Sequence, residues 1–279
     1  MTPRPQDALV AWLAAMAERL AGDRKVVASA RTMFGRARVV DMHDSDGVPV
    51  RVLEVSGTWQ SATYLDEGWA ELVFPYHRLF ADAITELGIA SPRALMLGGG
   101  GYAFPKYLVA HDDAVTVDVV EVDPAVSELA RRYFLLDRLG EDASRLRTYN
   151  EDARAFLESG RGRAAYDVIA NDCFGARVPA SGLATVEATR AIAARLAPGG
   201  VYLSNVVSAL EGRRSQPLRD VCATLATTFA HVCVIPCSPD DPDLEDNNVV
   251  VATNADALAI PTWEPSGRPL GRVLRDGAR

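Results

Sequence analysis

Four stretches of this sequence place carboxylates or glycines where apolar runs end, and a side chain or backbone in that position can do chemistry. Asp172 follows the run Tyr166-Asp167-Val168-Ile169-Ala170-Asn171. At the carboxyl end of a strand it faces the crevice in which open α/β sheets bind ligands, and there it is able to orient or deprotonate an acceptor. Glu121 ends an earlier run, within Val119-Val120-Glu121-Val122-Asp123-Pro124. It lies roughly 20 residues beyond a glycine loop, the spacing at which a carboxylate accepts hydrogen bonds from ribose hydroxyls. The loop, Leu97-Gly98-Gly99-Gly100-Gly101-Tyr102-Ala103, fits G-x-G-x-x-A; without a Cβ the backbone turns tightly and approaches a ligand closely. Asn150-Glu151-Asp152-Ala153 follows a third run, where an Asp or Asn suits an adenine edge and equally a helix N-cap. Together these assign Gly98, Gly99, Gly100, Gly101, Glu121, Val122, Asp152, Ala153 and Asn171 to an adenosine-type ligand. Asp123, just before Pro124, suits the cap of the next helix.

Such positions require a particular scaffold. From Pro92 onward strand-like runs alternate with helical ones: ALMLG, AFPKYLVAH, VTVDVVEVD, PAVSELARRYF, RLRTYN, DARAFLES, YDVIAND, VEATRAIAARL and VYLSNVV. This alternation predicts an α/β fold with a mostly parallel, doubly wound, Rossmann-like sheet. A helix near 214–229 follows, then HVCVIP and NNVVVATN, joined by the acidic stretch SPDDPDLEDN. With no helix between them, these last two runs predict an antiparallel edge hairpin. Before Pro92 the character differs. Residues 6–21 read as an amphipathic helix, and RARVVDMH, VRVLEV, WQSATYL and AELVF as short strands separated by Asp-Ser-Asp-Gly and Ser-Gly turns. A helix is expected over about 75–88, ending at Gly88. The predicted division is a small N-terminal antiparallel β-domain with its helix, residues 1–74, and a nucleotide-binding domain, residues 75–279.

Bulk composition narrows the function classes. With 48% hydrophobic residues the 279-residue chain holds enough apolar material for a sizeable core. A net charge of −8 and no dense Lys/Arg block argue against nucleic acid as a partner. Glu18 and Arg19 interrupt the apolar start, so no signal peptide is expected, and no run is long enough to span a membrane. The cysteines Cys173, Cys222, Cys233 and Cys237 form no CxxC pairs and lack nearby His partners. Reduced thiols, no metal and a cytoplasmic location are the expectation.

The combined pattern resembles the spermidine synthase family, the polyamine aminopropyltransferases. The likeness covers most of residues 34–254: Tyr64-Leu65-Asp66, Tyr76-His77, Gly98–Gly101, Val120-Glu121-Val122-Asp123, Asn150-Glu151-Asp152-Ala153, Tyr166-Asp167-Val168-Ile169 with Asp172, and Pro198-Gly199-Gly200. The resemblance implies a class I methyltransferase fold and S-adenosylmethionine (AdoMet) or its decarboxylated form as cofactor. It also implies transfer to a small amine acceptor, with Asp172 as the base and Tyr76 as its catalytic helper. Tyr64, His77 and Phe174 are implied on the substrate side, and a homodimer is implied because the β-domain of relatives contributes to one.

Departures mark a divergent, spermidine-synthase-like branch. Gly101 stands where the family loop has an Asp that grips the cofactor amine, Gly175 where a second strand-end Asp is usual, and Leu72-Val73 where an Asp-Glu pair precedes Tyr-His. Burying a polycation without such partners is costly. Two further readings therefore stand beside aminopropyl-type transfer: an AdoMet-dependent methyltransferase acting on a small molecule, and a non-catalytic nucleotide-binding relative. The loop after Asp172 and the segment 208–216 are expected on the acceptor side. There Arg177, Arg213 and Arg214 suit a carboxylate, although solvated arginines are the default.

Overall fold

The computed structural model describes residues 24–162, 165–173, 181–256, 258, 260 and 271–277. The helix expected over 6–21 lies outside them, as do Phe174, Gly175 and Arg177.

The chain first builds a four-stranded antiparallel meander from β1 (Lys25–Thr32), β2 (Gly35–His43), β3 (Pro49–Val55) and β4 (Thr58–Tyr64). Its turns have local causes. The Asp44 carboxylate accepts the N–H groups of Asp46 and Val48. At the Ser-Gly turn, Ser56 and Gly57 both take positive φ, 50° and 83°, the geometry that matches the twist of a two-residue hairpin. Two expectations are corrected here. The first strand is Lys25–Thr32, upstream of the expected set, and Ala70–Phe74 is a loop rather than a strand. That segment is held by other bonds: Asp66 Oδ1 caps the Gly68 N–H, Thr63 Oγ1 donates to the Trp69 carbonyl, and Leu72 and Phe74 are buried as core anchors.

The second sheet follows α1 (Pro75–Glu86). It comprises β5 (Arg93–Leu97), α2 (Ala103–His111), β6 (Thr116–Val120), α3 (Pro124–Tyr133), a 3-10 segment (Leu136–Arg145) and β7 (Leu146–Tyr149). Then come α4 (Ala153–Ser159), β8 (Tyr166–Asn171), α5 (Val186–Arg195), β9 (Leu196–Ser208), α6 (Gln216–Leu225), β10 (His231–Pro236) and β11 (Asp246–Thr253). The seven strands are ordered β10-β11-β9-β8-β5-β6-β7. The five from β7 to β9 run parallel, β11 is antiparallel to β9, and β10 is antiparallel to β11. This is the Rossmann-like, doubly wound arrangement with an antiparallel edge hairpin, as expected. The chain winds from β5 outward to β7, then returns to β8 on the other side of β5, so the switch point lies between β5 and β8.

Alternation along the strands separates two apolar layers. Met96, Val119, Ala170, Leu203 and Val251 pack with Phe80 of α1 and Phe104 of α2, in a core continuous with Val50 and Val52 of the first sheet. Leu95, Leu97, Ile169 and Tyr202 face the opposite side with α4, α5 and α6. Helix α1 starts with Pro75 at its first position and buries Tyr76, Phe80, Ala83 and Ile84, a stripe spaced four, three and one. Its first turn therefore sits against the sheet, and that sets where Tyr76 and His77 point.

Candidate active site

Asp172 is the first residue beyond β8, and its N–H donates to the Leu97 carbonyl of β5 at 2.8 Å. It is therefore fixed at the switch point. The glycine loop closes against it: a Cβ on Gly98, whose φ is +89°, would lie 2.8 Å from the Asp172 carbonyl oxygen, so no other residue fits without displacement.

Three side chains converge on the Asp172 carboxylate. Tyr76 Oη donates to Oδ2 at 2.9 Å, His77 Nε2 lies 3.2 Å from the same oxygen, and Asn205 Nδ2 donates to Oδ1 at 3.0 Å. A carboxylate only accepts, so the His77 proton on this side is on Nε2. Its Nδ1 is buried without a hydrogen-bond partner. The ring is clamped between Phe74 and Phe104, with interplanar angles of 21° and 16°. Burial, followed by the adjacent Asp172 charge, raises the Tyr76 phenol well above its ordinary range, so it stays a donor and is no base. With about two lone pairs per oxygen, Oδ2 is filled by Tyr76 and His77, and Oδ1 keeps one acceptor place beside the Asn205 bond.

The glycine loop is organised by Glu121. Its Oε2 accepts the N–H groups of Gly99 at 2.9 Å and Gly100 at 3.3 Å, and its Oε1 accepts that of Asp123 at 3.0 Å. One acceptor place remains, and two ribose hydroxyls would need the longer Gly100 bond to yield as well. Val122 is half-buried and Ala153 is buried. Asp152 caps α4 by accepting from Ala155 N, and Asp123 caps α3 by accepting from Ala125 N. Asn171 is buried with both polar ends engaged internally, donating to Tyr202 Oη and accepting from Cys173 N. Tyr64 is half-buried at the end of β4, where its backbone carbonyl accepts from Thr63 Oγ1.

Cys173 reports the local electrostatics. Burial, followed by the charges of Glu121, Asp172 and Asp152, holds its thiol well above the ordinary cysteine range. All three carboxylates thus lie near enough to act on Cys173, and no described cation is ion-paired to Glu121 or Asp152, while among the described residues Asp172 is ion-paired only with His77. Such a concentration of negative charge suits a cationic ligand. Among the described residues no group of three or more His, Cys, Asp or Glu side chains is placed to hold a metal ion.

Sequence reasoning missed Asn205 and gave no sign of how close the packing is at Gly101. Asn205 is a polar residue in the apolar run Val201–Val207, a visible signal, but its register against β8 is not visible in the sequence. At Gly101 a Cβ would lie 2.7 Å from Phe134 Cδ1 and 2.7 Å from Ser61 Oγ, so the place of the relatives' Asp is physically closed. The adjoining Tyr102 takes φ +60° and buries its ring, with its hydroxyl 3.2 Å from both Ser127 Oγ and Thr148 Oγ1.

The fold and site define a Rossmann-like domain of class I methyltransferase type with the Asp172 carboxylate at the switch point. The spermine/spermidine synthase domain matches residues 73–237, well over half of the chain. This chain belongs to that family. It is 29% identical, over 53% of its length, to the polyamine aminopropyltransferase of Vibrio vulnificus, and the match spans 48% of that relative. The chain thus matches about half the length of this curated relative. A probable spermidine synthase from Corynebacterium glutamicum has a similar fold, with a TM-score of 0.70 at 24% identity over 84% of this chain and 82% of the other. A spermidine synthase solved with the transition state analogue AdoDATO gives a TM-score of 0.58 at 18% identity over 84% and 74%.

Proposed function

We propose that this protein is a transferase of the aminopropyltransferase type that alkylates a small amine acceptor from an AdoMet-type sulfonium cofactor, decarboxylated AdoMet. The observation that carries this reading is the Asp172 carboxylate, held by Tyr76, His77 and Asn205 near Glu121 and Asp152, to which no described cation is ion-paired. The residues present fit such a cofactor: Gly98 and Gly100 supply a Cβ-free cradle at positive φ, and the carboxylates balance a sulfonium. The AdoDATO complex of a fold relative supports the same assignment.

When bound, the cofactor supplies an electrophilic carbon: the amine nitrogen forms a C–N bond as the C–S bond breaks and its electron pair stays on sulfur. This chain's own contribution is proton and charge management. Asp172 Oδ1 has one acceptor place, which orients an amine N–H and takes the proton that the nitrogen sheds. Tyr76 and His77 hold Oδ2 and prevent the carboxyl from turning. Glu121 and Asp152 hold the nucleoside half, together with Gly98–Gly101, Val122 and Ala153. Tyr64 and Phe174 are assigned to the acceptor side, with His77 acting there through Asp172.

A second reading rests on Gly101. With Phe134 and Ser61 occupying the space of a carboxylate, nothing at that spot grips a terminal ammonium, which favours unmodified AdoMet and methyl transfer. Calorimetric titration with AdoMet, decarboxylated AdoMet and methylthioadenosine, followed by mass spectrometry of a primary-amine panel, separates the two. Binding of the decarboxylated form with a product heavier by an aminopropyl group is the expected outcome. Binding of AdoMet alone with methylated product moves the assignment to the second reading, and binding of none sinks both.

The division into residues 1–74 and 75–279 is supported by the two separate sheets, with β4 ending at Tyr64 and α1 starting at Pro75. We read the protein as a cytoplasmic homodimer that uses neither nucleic acid nor membrane. The net charge of −8 supports the first exclusion, and no described helix is long and apolar enough to cross a membrane.

A further inference from the structure

The Asp172 carboxylate makes contact from three directions, and only two of its partners belong to α1. The third, Asn205, comes from β9 and is buried to 2% exposure. Strand register puts it there. β8 pairs in parallel with β9 so that Asn171 stands opposite Ser204, and the next residue on each strand, Asp172 and Asn205, therefore stands at the same level. The orientation of the amide is dictated by charge. A carboxylate oxygen repels a carbonyl oxygen and attracts an N–H, so Nδ2 faces Asp172 Oδ1 at 3.0 Å while Asn205 Oδ1 is buried without a partner. An apolar residue of similar size would avoid burying that carbonyl in a core strand. A polar residue kept at such a place does something packing does not need.

We propose that Asn205 is a positioning residue that reserves a single lone pair of Asp172 Oδ1 for the acceptor amine. The inference rests on the transferase reading given above. Tyr76 and His77 fill Oδ2 and oppose rotation about the Cβ–Cγ bond, but neither touches Oδ1, whose two acceptor places would both stand open without Asn205. Asn205 grips the other oxygen and fixes the plane of the carboxylate. The group then has one orientation, with its unfilled acceptor place on Oδ1. Asn is also a donor that cannot itself take up the amine proton. The proton shed by the nitrogen therefore has one destination, and Asp172 does not share it with its neighbour across β9.

Asn205→Leu tests this with little threat to folding, because it removes a bonded donor and an unsatisfied acceptor together at similar volume. The first readout needs no turnover. In side-chain amide NMR of the full chain, the Asn205 pair is identified by its loss in Asn205→Leu. One of its protons should lie downfield, exchange slowly with water and shift on Asp172→Ala. The second readout is kinetic, with decarboxylated AdoMet and the best amine of the panel. Asn205→Leu should lower kcat by about tenfold to a hundredfold, the scale of a misplaced reacting group, while KM for the donor is unchanged. Asn205→Gln, which keeps a donor, should recover part of the loss. An Asn205 pair indifferent to Asp172→Ala overturns the proposal, and so does a wild-type kcat in Asn205→Leu. If the wild-type protein alkylates no amine, the transferase reading fails, and the amide signal alone then decides whether Asn205 holds Asp172.

Discussion

At Asp172 each substitution removes a distinct part of the arrangement. Asp172→Asn keeps the shape but turns an accepting edge into a donating one, facing Tyr76, His77 or Asn205. Turnover should fall by about a hundredfold or more while calorimetry shows nearly unchanged cofactor affinity. Retained turnover would remove Asp172 from the chemistry. Glu121→Ala acts on the other half of the pocket. It releases the N–H groups of Gly99 and Gly100 and removes a charged acceptor for ribose, so the cofactor Kd should rise by about tenfold or more, the scale of a charge-assisted hydrogen bond. An unchanged Kd would show that the nucleoside is held elsewhere. Asp172, Glu121 and Asp152 were legible in the sequence because strand ends announce themselves. Asn205 was not, because a residue in mid-strand shows nothing of what stands beside it in the next strand.

Among the elements, the decisive junction lies between the glycine loop, β4 and the end of α3. Gly101 packs against Ser61 and Phe134 so closely that Gly101→Asp cannot restore the carboxylate of relatives without displacing both. The expected result is a loss of stability of about 1–3 kcal/mol, typical of overpacking, seen as a lower Tm, with no gain in affinity for decarboxylated AdoMet. A variant as stable as the parent would show that this wall yields. Order and type of the elements from β5 to β11 were readable from alternation of apolar strands with helical runs. The stretch Ala70–Phe74 was not, because Leu72, Val73 and Phe74 resemble a strand in composition, yet Asp66 and Thr63 hold the segment in a loop and two of the apolar side chains go into the core.

Across the whole molecule the two sheets are tied by a lysine. Lys106 of α2 is buried at 1% exposure, with Nζ 2.6 Å from Thr63 Oγ1 of β4, 3.2 Å from the Phe134 carbonyl and 5.6 Å from the Trp69 ring centre. Among the described residues no carboxylate is ion-paired with it. Burial, and then the charge of Arg138, lowers its pKa from 10.5 to about 7. Between these values the unfolded chain binds the proton and the folded one does not, so this group makes stability rise with pH across that window and leaves it lower at neutral and acid pH. Lys106→Met should therefore stabilise the fold by about 1–3 kcal/mol near pH 7, as replacement of a buried charge by an apolar side chain often does. The gap should close as pH approaches 10.5. Urea unfolding of both proteins at several pH values reads it, and a gap independent of pH would mean that burial leaves the amine's pKa where it stands in the unfolded chain.

Apolar periodicity, turn residues and the residue types at strand ends are local properties. From them alone followed the doubly wound sheet, the hairpin sheet before it, and the caps at Asp123 and Asp152. Contacts between distant segments are not local. Only the tertiary structure decided that α1 delivers Tyr76 and His77 to a single oxygen of Asp172, that the register of β9 brings Asn205 to the other, and that Phe134 closes the space beside Gly101. Each of these depends on where one element lies against another, and that is set by the packing of the two apolar layers as a whole.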